Sequence, residues 1–277
     1  QAHAVAQGQL AYYRALAAGG FLRPVASRRE LDRHVAAWEA FERSRAGEAP
    51  PVGYVLAMEG ADPILEPADL ATWHAAGLRV LGLSHFGEGR YAGGTGSALG
   101  LTPLGAPLLA EMRRLGVILD ATHLSDPAFD EALERWDGPV LASHANCRAL
   151  VPHPRQFSDA QLRELIRRDA VIGAVFDAWM LVPGWTRGPG LKPGATFEQV
   201  ADHVDHVCQL AGDARHAAVG SDLDGGFGRE QSPAGLDTIA DLGKLGEVLA
   251  KRGHREADIA AVLHGNWLRL LRGALPG

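Results

Sequence analysis

Two kinds of apolar spacing alternate along the chain. Short runs rich in Val, Ile, Leu and Ala recur at Gly53–Glu59, Leu78–His85, Gly116–His123, Pro139–Ala145, Ala170–Asp177 and His216–Asp222. They are mostly apolar on both faces, the pattern of strands in a parallel sheet covered by helices. Between them the spacing becomes that of amphipathic helices with start signals. Pro67-Ala68-Asp69-Leu70 opens one toward Ala76, Thr102-Pro103 opens another through Arg114, and Ser125-Asp126-Pro127 starts a third. Ser158-Asp159-Ala160-Gln161 has the form of a capping box before Leu162–Arg168, and Thr196-Phe197-Glu198 leads a helix to Ala211. Glu256–Leu271 is the last helical stretch, and residues 1–46 read mostly as helix.

Repeated β–α units with buried strands predict an α/β fold, either an open doubly wound sheet or a closed (β/α)8 barrel. The polar residues that end the runs separate the two. Glu59, His85, His123, His144 and Asp222 each stand at or within a residue of the end of a different run. An ionisable group there is costly if buried without a partner. In a barrel the C-terminal strand ends meet around one cavity. A dinucleotide-binding sheet would carry G-x-G-x-x-G after its first strand. The glycine-rich Gly87–Gly96 follows the second run with the wrong spacing. The pattern therefore predicts a (β/α)8 TIM-type barrel, as one domain over residues 1–277.

Composition narrows the partners. With 277 residues the chain can bury a large core. A net charge of −6 without a basic run argues against nucleic acid and anionic membranes. The longest apolar stretches are strand-sized, too short to span a bilayer. Cys147 and Cys208 form neither a disulfide framework nor a CxxC site, and both read as small buried apolar residues.

Three histidines and two carboxylates at strand ends, with no thiolate cluster, point to a divalent transition metal, zinc above others. The remaining histidines carry no such signal. His203 and His206 read as an exposed helical pair. His34, His74, His153, His216, His254 and His264 read as surface or capping groups.

The segments "MEGADPI", "GLTPLGAPLLAEMRRLGVILDATHLS", "PVLASHANCRALVPHPRQFSD", "AVGSDLDG" and "ADIAAVLHGNWLRLL" together resemble the membrane (renal) dipeptidase family, amidohydrolase-like enzymes on a (β/α)8 barrel. The resemblance implies that Glu59 bridges two zinc ions and that His123 and His144 hold the second of them. It also implies that His85 polarises the substrate carbonyl, that Arg155 grips the substrate carboxylate, and that Asp222, rather than Asp224, is the acid–base group. Zinc-dependent hydrolysis of dipeptides is the implied activity, with a small-molecule substrate as partner and a homodimer as the family's habit.

One departure stands out. The family's first strand carries a His-x-Asp pair that supplies the first metal. The only His-x-Asp here is His203-Val204-Asp205, on an expected helix, where residues two apart point in nearly opposite directions. Six runs are visible where a barrel needs eight. The expectation is therefore that the first one or two strands, with that pair, precede Gln1. Two other readings stay open: a related metal-dependent amidase or lactonase, and a binding protein that has lost the first metal position.

Overall fold

Every apolar run named above contains a strand in the computed structural model, which describes residues 1–186 and 194–277. Eight short strands are present among the described residues: β1 (Leu22–Pro24), β2 (Val52–Tyr54), β3 (Leu56–Met58), β4 (Leu78–Gly82), β5 (Ile118–Asp120), β6 (Val140–Leu141), β7 (Ile172–Ala174) and β8 (Ala217–Val219). The chain forms two compact units, one of residues 1–139 and 271–277, the other of residues 140–270.

In the first unit β1 pairs in parallel with β2, Leu22 opposite Val52. β4 pairs in parallel with β3 on one side and with β5 on the other, Val80 opposite Ile118 and Gly82 opposite Asp120. Leu81, Leu83, Ile118 and Leu119 are fully buried, and Trp73, Leu108 and Met112 of the helices that follow β3 and β4 are buried as well. In the second unit β7 pairs in parallel with β8, Ile172 opposite Ala217, and Ala142, just past β6, bridges to Ile172 in the same sense.

The helices start where side chains satisfy their first amide groups. Ser27 caps Arg28–Ser44, Ser125 caps Asp126–Arg135, and Ser158 and Thr196 close reciprocal boxes with Gln161 and Gln199. Gly116 and Gly212 end their helices in the left-handed region, where a glycine carries no Cβ penalty. The final helical stretch is interrupted by a π-turn at Ala261–Gly265. No helix among the described residues is long and apolar enough to cross a membrane.

Two features of the first unit differ from the sequence expectation. The run Gly53–Glu59 is two strands, because residues up to Tyr54 pair with β1 whereas Leu56–Met58 pair with β4. Residues 1–46 are not all helix between the two long helical segments: β1 lies there, supplying one of the strands missing from the sequence count. Its three residues bury little, too short a segment to show a period.

Candidate metal centre

The candidate residues follow a common offset from their strands. His85, His123, His144 and Asp222 each stand three residues beyond the last residue of β4, β5, β6 and β8, and Glu59 directly follows β3. Asp177 has the same offset from β7. The strand-end register that marks the other five marks this one too, and it is the signal by which Asp177 is legible in the sequence.

In the first unit the structure brings three of them together. Ligating atoms of Glu59, His85 and His123 lie within 4.8 Å of one another. His123 Nε2 is 3.0 Å from Glu59 Oε1, and His85 Nε2 is 3.8 Å from the same oxygen. The two imidazole rings are 4.4 Å apart. His123 is buried, whereas about half of the Glu59 and His85 side chains remains exposed. The cluster therefore has a fixed inner wall and an open outer one.

Local backbone explains the aim of each group. His123 takes the left-handed conformation at φ 68°, in a turn where Asp120 Oδ1 accepts from Thr122 N at 3.0 Å. A non-glycine residue held there costs of order 1–3 kcal/mol, and such strain persists where surrounding structure enforces it. The enforcing element is the glycine-rich loop after His85. Thr95 N donates to His85 O at 2.8 Å, Gly87 N donates to Thr95 O at 2.9 Å, and Ser125 N donates to Gly93 O at 3.0 Å. A Cβ on Gly94 would stand 2.0 Å from His85 O, so only glycine lets the loop press this closely. From that loop Thr95 Oγ1 reaches His123 Nδ1 at 3.0 Å. Phe86, largely exposed, lies edge-on to both imidazoles with ring centres 4.9 and 5.0 Å away.

The second unit holds His144, Arg155, Asp177 and Asp222. Arg155 Nη2 donates to His144 O at 2.8 Å, and His144 Nδ1 is 2.8 Å from Ser143 Oγ. Arg155 is buried. Asp222 is half-buried at φ 58°, and its carbonyl accepts from Gly225 N at 2.8 Å; Asp224 is exposed. Asp177 is buried, and Gln231 Nε2 contacts both its oxygens, at 2.9 and 3.0 Å. Burial raises the Asp177 carboxyl above its ordinary range, the Gln231 bond opposes this, and the nearby Asp222 adds to the rise.

His203 is not exposed. It is buried with Val200, Val204 and Val207 on the inner face of its helix, and Cys147 N donates to its Nδ1 at 3.1 Å. Burial lowers its pKa to about 4, so it is neutral at ordinary pH. His206 pairs with Asp159 at 2.8 Å. His216 is buried too, its Nδ1 2.8 Å from Ala170 O. Cys147 and Cys208 are free thiols.

The donor set of the first-unit cluster suits zinc. Two imidazole nitrogens and a carboxylate oxygen are its common non-thiolate ligands, and three protein donors with an open side are the arrangement of catalytic sites. It is the one such group of three among the described residues.

A description of the membrane dipeptidase family, peptidase family M19, matches residues 25–275. Dipeptidase tcpJ of Claviceps purpurea is 32% identical over 210 residues, 73% of this chain and 46% of that protein. An uncharacterized protein of the pqqA 5′ region of Klebsiella pneumoniae is 30% identical over 243 residues, 84% of this chain and 86% of its own length. The chain spans about half the length of the fungal dipeptidases it matches. Among solved structures, a metallo peptidase of Rhodobacter sphaeroides liganded with a phosphinate mimic of the dipeptide L-Ala-D-Ala superposes with a TM-score of 0.78 at 27% identity. That match covers 98% of this chain and 74% of the other. The parallel β–α units and this likeness give the chain the α/β, TIM-type fold of those peptidases. By its sequence over residues 25–275 the chain belongs to the membrane dipeptidase family, a family of metallo-dipeptidases.

Proposed function

We propose that the chain hydrolyses dipeptides with zinc held by Glu59 and His123. The observation that carries this reading is the convergence of Glu59, His85 and His123 ligand atoms within 4.8 Å. Zinc bound there would act as a Lewis acid and bring the pKa of a bound water down toward about 7.

The protein's own groups do the rest. His85, more exposed than His123 and farther from Glu59, is placed to donate a hydrogen bond to a substrate carbonyl oxygen as negative charge builds on it. A second reading makes His85 a third ligand, favoured by its membership in the cluster. Replacing His85 with Ala separates them: a carbonyl-polarising role lowers kcat and leaves zinc content intact, and a ligand role lowers both. Three roles rest on the resemblance of their motifs: His144 as a further zinc ligand, Arg155 as the group that grips a free carboxylate through paired N–H donors, and Asp222 as the proton carrier between water and leaving amine. A second zinc, as the family's binuclear site implies, belongs to the same proposal.

The solved relative with its L-Ala-D-Ala mimic makes that dipeptide the first substrate to assay. The test is zinc content together with hydrolysis of a dipeptide panel, run beside lactones and acylated amino acids. Dipeptide turnover that needs zinc supports the proposal. Turnover of lactones alone would replace it with the amidase or lactonase reading, and absence of both metal and turnover with a binding protein.

A further inference from the structure

We infer that Thr95 is a positioning residue that decides which nitrogen of His123 is offered to the cation, an inference that rests on the reading of the cluster as a zinc site. An imidazole has two chemically distinct nitrogens, and the partner of one fixes the proton and therefore the role of the other. His123 presents Nε2 toward Glu59 Oε1 at 3.0 Å and Nδ1 toward Thr95 Oγ1 at 3.0 Å. If Nδ1 carries the proton and donates it to the threonine oxygen, the Nε2 lone pair faces the carboxylate. Two lone-pair donors at that distance repel unless a positive charge lies between them, so this tautomer is the one suited to sharing an ion.

The threonine is built to hold this arrangement. It is buried, with only 4% of its surface exposed. Its amide donates to His85 O and its carbonyl accepts from Gly87 N, so its backbone is tied at both ends to the segment that carries His85. The carbonyl oxygen of His123 lies 3.5 Å from Thr95 Oγ1, a direction in which the hydroxyl proton can turn. That contact is too long to add much energy, but it leaves the oxygen lone pairs turned to Nδ1. The β-branch restricts its χ1 rotamer, which limits how far the hydroxyl can stray. One loop thus sets both histidines of the cluster: the backbone of residues 87–95 fixes His85, and the Thr95 side chain orients His123. No local pattern marks this role, because a lone threonine among glycines in Gly93-Gly94-Thr95-Gly96 reads as part of a turn.

The test compares Thr95→Val, which keeps shape and backbone bonds but lacks the hydroxyl, with Thr95→Ser, which restores it. Zinc affinity is measured by competition with a chromophoric chelator, and the tautomer by the imidazole 15N resonances of His123, assigned with His123→Ala. Thr95→Val is expected to weaken zinc binding roughly 10–100-fold, the usual cost of losing an outer-shell partner. Its His123 resonances should also lose the single hydrogen-bonded Nδ1–H form, and Thr95→Ser should recover both. If Thr95→Val alters folding by circular dichroism, Thr95→Ala provides the same comparison without the branched side chain. Undiminished zinc affinity in the hydroxyl-free variants would overturn the inference and leave the zinc site standing. So would equal losses in Val and Ser variants with unchanged 15N spectra. Undiminished affinity in His123→Ala would overturn the zinc reading and this inference with it.

Discussion

In the first unit three ionisable groups face one another; in the second, Arg155 and Asp177 are bonded to their own scaffold. Glu59, His85 and His123 meet through side-chain nitrogen and oxygen, with an exposed outer side. Arg155 instead donates to the His144 carbonyl, Asp177 receives Gln231, and a buried Asn146 spans toward Val175 and Met180. The first arrangement gathers imidazole nitrogens and a carboxylate oxygen around a partly open space, a donor set that can hold a cation. In the second, the bonds of Asp177 to Gln231 and of Asn146 to Val175 and Met180 tie loops to the scaffold. Substitutions at Glu59, His85 and His123 should therefore fail in metal and rate, and substitutions of second-unit groups that only hold the scaffold, such as Asn146, in folding.

The sharpest break comes at Glu59. Glu59→Gln keeps the size and removes the charge that the two imidazoles converge on. We expect loss of zinc retention and a fall in kcat/KM larger than the roughly 10–100-fold that an outer-shell change costs. Thermal unfolding of the zinc-free protein should barely change, because Glu59 is half exposed. Full activity in this variant, read in a zinc-supplemented assay, would dissolve the contrast between the units.

Asn146 tests the other side. Its Oδ1 accepts from Val175 N at 3.0 Å, while its Nδ2 donates to Val175 O and Met180 O at 3.2 and 3.3 Å. Asn146→Leu removes the partner of Val175 N and O, while Met180 O keeps its bond from Gln156 Nε2, and an unsatisfied buried group costs about 1–3 kcal/mol. We expect about 3 kcal/mol of destabilisation by urea unfolding, with zinc affinity of the folded protein preserved. An unchanged midpoint would mean that this network is not what holds the second unit.

Arg155→Ala sharpens the comparison, because Arg155 is both a scaffold donor and the proposed carboxylate anchor. Charge-assisted hydrogen bonds contribute about 1.5–3 kcal/mol, which corresponds to a KM rise of roughly 10–100-fold for a dipeptide with a free carboxylate. An amidated dipeptide should show little of it. Equal effects on both substrates would leave Arg155 with only its bond to His144.

The same division describes how much the sequence revealed. Strand ends and helix starts were legible because each rests on local chemistry: apolar runs of strand length, and Ser or Thr caps whose partner lies three residues on. That made Glu59, His85, His123, His144 and Asp222 visible. What stayed hidden depended on contacts distant in sequence. Nothing within Gly53–Glu59 marks the change of partner at Val55, since the split is imposed by β1 and β4 from outside. Thr95 acquires its role only because the loop folds onto a turn 28 residues downstream. His203 is a different case. Its spacing from Val200, Val204 and Val207 places it on the apolar face of its helix, whereas its three-residue spacing from His206 reads as an exposed pair.

That histidine gives the smallest effect and the cleanest pH dependence. Its pKa falls from 6.5 in the unfolded chain to about 4 when folded, because burial disfavours the charged ring. Between those values the unfolded chain takes up a proton that the folded protein refuses, so stability declines as pH drops through 6.5 and levels off below about 4. At pH 7 the penalty is negligible; near pH 5.5 linkage puts it at about 1 kcal/mol, and at its acid limit at about 3 kcal/mol. His203→Gln retains an acceptor for Cys147 N and cannot titrate. Urea unfolding from pH 7 to 5 should therefore show a shallower acid slope for this variant than for the native chain, whatever its absolute stability. Parallel slopes would show that the ring is protonated inside the fold, which would require Cys147 N to give up its bond to Nδ1 and the packing around Val204 to open to solvent.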